Sequence, residues 1–223
     1  MPDLEVYRRK LAEVKAQLSP DSHLLIVSKQ RTREEIEAYY NLGHRDFGEN
    51  RVQDLNDKAL ALKLKCPEIK WHMIGHLQSN KINQLYGVPN LSAIHSVHNQ
   101  HLLDKLISAE NKLGHPIDVF LQMNTSQEDE KSGFETYTEL RMAVESLSSS
   151  KKLKLRGLMT MGTIRTESFE AEALRCFQEL NVERIKLESE FNLKLETSMG
   201  MSQDYLLALQ EKSNWIRLGT MMF

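Results

Sequence analysis

The sequence predicts an α/β fold, a (β/α)8 TIM-type barrel that forms a single domain over residues 1–223 and carries an extra N-terminal helix. Short apolar segments typical of strands occur eight times, and all but the last precede a segment with helical spacing. An uninterrupted alternation of this kind predicts a parallel sheet, and eight strands are the number that closes a barrel. A doubly wound open sheet is the alternative, because the count depends on weak segments such as residues 45–50.

The individual elements follow from the apolar pattern and from the capping residues. A polar helix is predicted over residues 3–18, and the strands are predicted over residues 23–29, 45–50, 70–76, 92–97, 117–125, 155–162, 195–200 and 215–220. Thr32 and Glu35 have the spacing of a helix capping box, and Ser202 is expected to begin the helix after the seventh strand. No linker rich in proline, glycine or serine divides the chain, which favours one domain.

Composition limits the class of protein. The formal net charge is −2, so nothing indicates a nucleic-acid partner or an acidic membrane surface. The longest apolar segments are strand-sized, so no membrane span is expected. Cys66 and Cys176 lie far apart without a C-x-x-C motif, and no secretory signal is evident, which predicts a reduced, cytoplasmic protein. A lone barrel of this size is expected to be a monomer.

The residues with chemical potential lie where the predicted strands end. In such barrels functional side chains occupy the carboxyl ends of the strands. Those positions hold Lys29 after the first strand, Glu49 and Asn50 after the second, His76 after the third, and Met159, Ser198 and Arg217 near the ends of the sixth, seventh and eighth.

The ends of the last two strands suggest a phosphate site. The segments "TSMGMS" and "IRLGT" supply two glycines, Gly200 and Gly219, together with Arg217 and the Thr220 hydroxyl. Glycine lets the backbone approach an anion closely, and the loops after strands seven and eight of these barrels commonly bind phosphate. The alternative is that both glycines only permit tight turns.

Lys29 across the mouth from a phosphate site has two common uses. It can neutralise the phosphate, or its amine can form a Schiff base with a carbonyl group. The second use indicates either a sugar-phosphate aldolase or pyridoxal phosphate, and composition does not separate the two. An aldolase needs a further carboxylate, for which Glu49 is the candidate. His72 and His76 lack further ligands at matched spacing, so they are expected to pack or form hydrogen bonds, and no metal site is predicted.

The same residues belong to a series of motifs that occur in a known order. The series comprises "VSK" (27–29), "FGEN" (47–50), "WHMIGHLQSNK" (71–81), "IHSV" (94–97), "KSGF" (131–134), "RGLMTM" (156–161), "SMGMSQD" (198–204) and "IRLGT" (216–220). From about residue 5 to its last residue, the chain resembles the pyridoxal phosphate homeostasis proteins. These bind the cofactor on a single barrel of PLP fold-type III, related to the N-terminal domain of alanine racemase.

The resemblance implies pyridoxal 5′-phosphate (PLP) as the cofactor and assigns residues to it. Lys29 would form the internal aldimine, and Asn50 would lie beside the ring. Arg217 would face either the pyridine nitrogen or the phosphate. Met159, at the end of the sixth strand, is included among the cofactor-binding residues.

The resemblance also implies how the phosphate is held. Ser198, Gly219 and Thr220 would bind it, and Gly200 and Met201 would offer backbone N–H groups. Two departures from the family pattern, Lys212 in place of an expected small residue and a chain that stops at Phe223, concern the rim and the C-terminus rather than these contacts.

Two functions of different class are compatible with such a barrel. The first is a non-catalytic protein that stores, buffers or delivers PLP inside the cell, with PLP and apo PLP-dependent enzymes as partners. The second is a small PLP-dependent amino-acid racemase. Racemases of this kind use a barrel lysine and a tyrosine from a second domain and a partner subunit, for which we expect no residues here. Two-base chemistry needs a group on each face of the substrate. Lys29 supplies one and no second is evident, so the carrier is favoured and no catalytic residue is predicted.

Overall fold

The computed structural model describes residues 3–126, 132–162 and 168–223, and its strands form a closed barrel in the order β1 to β8. Every neighbouring pair is parallel, and β1 closes the barrel against β8, where His23 pairs with Trp215 and Ile26 with Leu218. The predicted barrel is therefore confirmed and the open sheet is excluded. The strands are β1 His23–Val27, β2 Asp46–Glu49, β3 Lys70–Met73, β4 Leu91–Val97, β5 Ile117–Gln122, β6 Leu153–Met159, β7 Glu196–Ser198 and β8 Trp215–Leu218.

The helices surround this barrel. The predicted N-terminal helix, α1, precedes β1, and one α-helix of the described chain follows each strand from β1 to β7. Their bounds are α1 Leu4–Lys15, α2 Arg33–Asn41, α3 Val52–Leu62, α4 Ile82–Tyr86, α5 Gln100–Ser108, α6 Tyr137–Ser148, α7 Phe169–Phe191 and α8 Tyr205–Gln210. The capping box at the start of α2 is confirmed, because the side chain of Thr32 accepts from the Glu35 N–H while Glu35 accepts from the Thr32 N–H.

Two apolar clusters form the core. The larger one lies between strands and helices and includes the fully buried side chains of Ile36, Leu55 and Phe177. The smaller one combines Leu25, Phe120, Met159 and Trp215. Because successive side chains of a strand face opposite sides, each strand contributes to both the inside and the outside of the barrel. The smaller cluster, called the inner apolar cluster below, fills the centre of the barrel with side chains, as expected for this fold.

Two further expectations concern membrane spans and the "KSGF" motif. In the three described ranges no helix has both the length and the apolar character needed to cross a membrane. Lys131 of the "KSGF" motif lies outside the described residues.

Candidate functional site

A cavity of about 580 Å³ opens at the carboxyl end of the barrel. Six of the nine residues that the sequence predicts for cofactor binding lie in its wall, namely Lys29, Asn50, Met201, Arg217, Gly219 and Thr220. These residues follow or end four different strands, β1, β2, β7 and β8, so the closed barrel brings together positions that are up to 191 residues apart in sequence. Their contacts with a cofactor remain a prediction.

Lys29 stands at the rim of the cavity, two residues beyond the end of β1, and its side chain is exposed. The preceding residue, Ser28, is fully buried and its hydroxyl donates to Glu49 Oε1 at 2.7 Å. Lys58 of α3 donates to the same Glu49 oxygen at 2.6 Å. Burial raises the pKa of Glu49, and the Lys58 ammonium opposes that rise. Glu49 thus anchors the strand ends to α3 and is absent from the cavity wall, so the structure does not support it as an acid/base partner of Lys29.

Asn50 owes its position to a close approach of two backbones. A Cβ atom added to Gly75, which follows β3, would lie 2.2 Å from the carbonyl oxygen of Asn50. Only glycine fits there without moving the chain. The glycine in "HMIG" therefore allows Asn50 to turn into the cavity wall.

Arg217 is the buried cation of the cavity. Its side chain is 4% exposed, and its guanidinium donates to Ser198 Oγ and to the Thr160 carbonyl oxygen, both at 2.8 Å. Burial lowers the pKa of Arg217 to about 10, while the nearby Asp204 carboxylate opposes that change. The guanidinium therefore stays positively charged at neutral pH and is fixed by two hydrogen bonds.

The other three predicted residues lie beneath the wall rather than in it. Met159 belongs to the inner apolar cluster and is fully buried. Ser198 is also fully buried and contacts Arg217. The carbonyl oxygen of Gly200 accepts the Arg217 backbone N–H at 2.9 Å, and its φ of +96° is one that glycine readily adopts. Ser198 and Gly200 therefore hold Arg217 from beneath the wall.

The turn between β7 and α8 adds three wall residues that the sequence did not assign to the site, Ser202, Gln203 and Asp204. Ser202 was expected to cap the helix, but α8 begins directly after Asp204. Asp204 Oδ1 accepts the Met201 N–H at 2.6 Å, whereas its buried Oδ2 has no hydrogen-bond partner among the described residues. Burial raises the pKa of Asp204 and Arg217 opposes that rise. The signal in the sequence was an Asp, itself a preferred capping residue, directly before "YLLALQ".

The two histidines of "WHMIGH" have different surroundings in the structure. His72 is buried inside the barrel, where it contacts Asp46 and His95, whereas the exposed His76 packs against the ring of His98 with 4.5 Å between ring centroids. The expected hydrogen-bonding and packing roles are confirmed. Within the described ranges, no group of three or more His, Cys, Asp or Glu side chains is arranged to hold a metal ion.

The donor set of the cavity indicates the kind of ligand that fits. It combines one amine, one fixed guanidinium, the hydroxyls of Ser202 and Thr220, and the backbone of Gly219. An amine reacts with a carbonyl carbon, and a guanidinium with hydroxyls and free backbone binds a phosphate. A site of this composition on a parallel barrel defines a class of protein that binds a small phosphorylated carbonyl compound.

Comparison with known proteins narrows this class. The family model described as "Alanine racemase, N-terminal domain" matches residues 3–223. Over 207 residues the chain is 37% identical to the pyridoxal phosphate homeostasis protein of Mus musculus, a match that covers 90% of this chain and 75% of that protein. Over 200 residues it is 36% identical to the protein of the same name from Schizosaccharomyces pombe, covering 90% and 82%. The chain belongs to the family of pyridoxal phosphate homeostasis proteins.

Solved structures agree with this assignment. PipY of Synechococcus elongatus with PLP bound superposes with a TM-score of 0.87 at 32% identity, covering 97% of this chain and 99% of PipY. Alanine racemase of Clostridium difficile superposes with a TM-score of 0.77 at 13% identity, covering 98% of this chain and 56% of the racemase. The second likeness shows a shared barrel fold alone.

Proposed function

We propose that this protein binds PLP in the cavity at the carboxyl end of the barrel and serves its intracellular homeostasis as a store, buffer or donor. The observation that carries the proposal is the placement of an exposed amine, Lys29, and a fixed buried cation, Arg217, in the wall of one 580 Å³ cavity. PLP presents an aldehyde and a phosphate to these groups. The names of the relatives and the PLP found in PipY support the same ligand.

Each wall residue then has a distinct role. The Lys29 amine bonds to the aldehyde carbon as a Schiff base, and the carbonyl oxygen leaves as water. Thr220, Ser202 and the backbone at Gly219 and Met201 bind the phosphate, and Arg217 supplies positive charge beside the ring nitrogen or the phosphate. Asn50 lies beside the ring. Bound PLP supplies an electrophilic aldehyde carbon, whose bond to one amine can be replaced by a bond to another.

The carrier function is favoured over an amino-acid racemase. Racemisation requires a proton-transfer group on each face of the substrate. Among the described residues of the cavity wall, Lys29 is the one amine, and the one carboxylate, Asp204, accepts the Met201 N–H through Oδ1. A carrier needs only Lys29, a phosphate site and access for an incoming amine. We propose that the protein is non-catalytic and that apo PLP-dependent enzymes receive the cofactor.

The two cysteines bear on the cellular setting of the protein. Both Cys66 and Cys176 are buried and free of disulfide bonds. Free cysteines are typical of a reducing compartment. We propose a cytoplasmic monomer.

Spectroscopy with matched lysine variants tests the ligand. Protein stripped of ligand and titrated with PLP is expected to develop the visible absorption band of a Schiff base, and borohydride reduction is expected to attach the cofactor mass to the Lys29 peptide. Lys29→Ala should lose the band, whereas Lys81→Ala, which removes an exposed lysine outside the cavity, should keep it. A wild-type protein that binds no PLP would refute the proposed function.

A further inference from the structure

A chain of hydrogen bonds crosses the interior of the barrel and ends at Arg217. It starts at Asp46, the first residue of β2, whose Oδ1 lies 3.1 Å from His72 Nε2. His72 Nδ1 lies 3.0 Å from His95 Nε2, and His95 Nδ1 lies 2.8 Å from Ser198 Oγ. Ser198 Oγ accepts from Arg217 at 2.8 Å. These contacts join five strands, β2, β3, β4, β7 and β8, and reach from the amino end of the barrel to the wall of the cavity.

Most side chains in this series of hydrogen bonds are buried. His72 is 2% exposed, His95 and Ser198 are fully buried, and Asp46 at the outer end is partly exposed. The His95 ring also stacks on Phe120 with 4.2 Å between centroids. A buried polar group without a partner is costly, so each member is expected to keep its hydrogen bonds.

The groups at the two ends fix the donors there. A carboxylate accepts, so the His72 Nε2 bound to Asp46 carries a proton, and the His72 hydrogen bond lowers the pKa of Asp46, which keeps it ionised. A guanidinium only donates, so Ser198 Oγ accepts from Arg217. Burial and nearby positive charge hold the pKa of His95 well below its ordinary value, so His95 is neutral, and one of its ring nitrogens donates while the other accepts.

The consequence falls on Arg217. Arg217 is a buried cation that forms no ion pair within the described ranges, so its bonds to Ser198 Oγ and to the Thr160 carbonyl oxygen hold the guanidinium. The Ser198 oxygen is held in turn by His95, and His95 by His72 and Asp46. Connected hydrogen bonds strengthen one another in a low-dielectric interior.

We propose that Asp46, His72 and His95 are positioning residues for Arg217, acting through a chain of hydrogen bonds that holds the Ser198 oxygen against the guanidinium. These bonds fix the orientation of Arg217 at the cavity wall, while the Asp46 carboxylate stays at the opposite end of the barrel. The significance of this arrangement for PLP rests on the proposed function, whereas the hydrogen bonds themselves do not.

Other charged groups face the same end of the barrel. Glu196 of β7 accepts from the Trp215 ring N–H at 2.7 Å and pairs with Arg156 at 2.6 Å. Asp118 of β5 lies 3.9 Å from Arg156, and among the described residues it forms no hydrogen bond to His72 or His95. Asp118 therefore offers a matched control, since its replacement removes the same charge near the same end of the barrel and leaves every hydrogen bond from Asp46 to Arg217 in place.

Nitrogen-15 NMR of the ligand-free protein tests the hydrogen bonds. Long-range proton–nitrogen spectra at pH 7 are expected to show His95 neutral. Asp46→Asn should shift the ring nitrogen signals of both His72 and His95, and Asp118→Asn should resemble the wild type. His95 signals that stay unchanged in folded Asp46→Asn would overturn the proposed connection between Asp46 and His95.

Binding measurements test the effect on Arg217. Asp46→Asn and His95→Gln are expected to weaken PLP affinity about tenfold, the equivalent of one weakened charge-assisted bond, and to change the pH dependence of the absorption maximum. Asp118→Asn should change neither. Thermal unfolding of the ligand-free variants separates lost folding from lost positioning. If PLP binds the wild type and folded Asp46→Asn and His95→Gln equally well with identical spectra, the positioning role is wrong and the proposed function stands. If the wild type binds no PLP, the proposed function fails, and the NMR result still decides whether the hydrogen bonds connect Asp46 to His95.

Discussion

Lys58 Nζ lies 2.6 Å from Glu49 Oε1 and equally close to the Ser28 carbonyl oxygen, so one residue of α3 joins the carboxyl ends of β1 and β2. Ser28 precedes Lys29, and Glu49 precedes Asn50, so both cavity residues depend on this contact. Glu49 is fully buried and Lys58 is 12% exposed, hence neither charge is solvated by bulk water. Breaking a buried ion pair from one side leaves an uncompensated charge.

Lys58→Met is therefore expected to lower the free energy of unfolding by about 3–5 kcal/mol, the range typical of a broken buried pair. Loss of the Lys58 ammonium removes the charge that opposes the burial-raised pKa of Glu49. The contribution of Glu49 to stability is present below the ordinary carboxyl pKa and is lost as pH rises. The deficit of Lys58→Met should therefore be larger at pH 8 than at pH 5, as measured by urea unfolding.

Two further variants serve as controls for this prediction. Lys58→Met combined with Glu49→Leu removes both charges and should recover most of the lost stability. Lys65→Met, which breaks the exposed pair with Glu37, should cost at most about 1 kcal/mol. A double variant no more stable than Lys58→Met would contradict the ion-pair account.

Gly75→Ala should disturb Asn50 directly. The added Cβ would lie 2.2 Å from the Asn50 carbonyl oxygen and 2.6 Å from its Cα, both backbone atoms that cannot rotate away. We expect a loss of about 1–3 kcal/mol in stability from this overpacking, together with weaker PLP binding. Gly114→Ala, where no atom lies within 4 Å of the added Cβ, should have little effect on either quantity. Equal behaviour of the two variants in unfolding and PLP titration would exclude a close-approach role for Gly75.

Gly219→Val should impair phosphate binding more than folding. A Cβ added at Gly219 meets Val27 at 3.5 Å, an ordinary contact, yet Gly219 lies in the cavity wall. A larger side chain there hinders the approach of a phosphate to the backbone. PLP affinity is expected to fall by about tenfold or more, corresponding to roughly 1.4 kcal/mol. Pyridoxal, which lacks the phosphate, should lose much less affinity, and an equal loss for both ligands would place the phosphate elsewhere.

Acid should destabilise the protein through His44. Burial lowers the pKa of His44 to about 4, although the hydrogen bond to the Asp46 carbonyl oxygen opposes the shift. A histidine with a depressed pKa in the folded state contributes stability that is present above about pH 6.5 and is lost as pH falls towards 4. The loss should be on the order of 3 kcal/mol. Urea unfolding of His44→Gln is expected to show a flatter pH dependence over this window, and an unchanged slope would exclude His44 as the cause.

The sequence predicts the barrel well because strand-forming signals are local. Even β7, with only Glu196–Ser198 in strand conformation, lies within the strand predicted over residues 195–200. The strand ends were predicted too far along the chain, because Ser28, Lys29 and Asn50 follow their strands instead of extending them. The capping of α8 was misassigned to Ser202 because serine and aspartate are both good capping residues two positions apart.

The sequence predicts the candidate site only in part, and the reason differs from the one that misplaced the strand ends. Six predicted residues share the cavity wall because barrel topology alone brings strand ends together. Side-chain partners that lie far apart along the chain do not follow from topology. His95 and Ser198 are 103 residues apart and touch only because β4 and β7 face each other across the barrel. The buried side of the site, including Ser198 as an acceptor for Arg217, therefore required the structure.

The last prediction concerns catalysis. Removal of the Cα proton of an amino acid bound to PLP requires a base and a pyridine ring that accepts electrons. Arg217 stays charged at neutral pH, and if it faces the ring nitrogen rather than the phosphate, its charge disfavours the protonated ring that withdraws electrons best. Lys29 is exposed, so water reaches the reacting carbon and competes with the substrate.

We therefore expect the PLP-loaded protein to exchange its cofactor with free amines and apo-enzymes but to leave amino acids unchanged. Incubation of alanine and serine with the loaded protein in deuterium oxide should give no Lys29-dependent incorporation of deuterium at Cα, as followed by proton NMR. Lys29→Ala provides the background rate, and an alanine racemase provides the positive control. Transfer to an apo-enzyme, measured by recovery of its activity, should proceed under the same conditions. Lysine-dependent Cα exchange at rates comparable with the racemase would favour the enzyme over the carrier, because it would show that the cavity supplies both a base and an adequate electron sink.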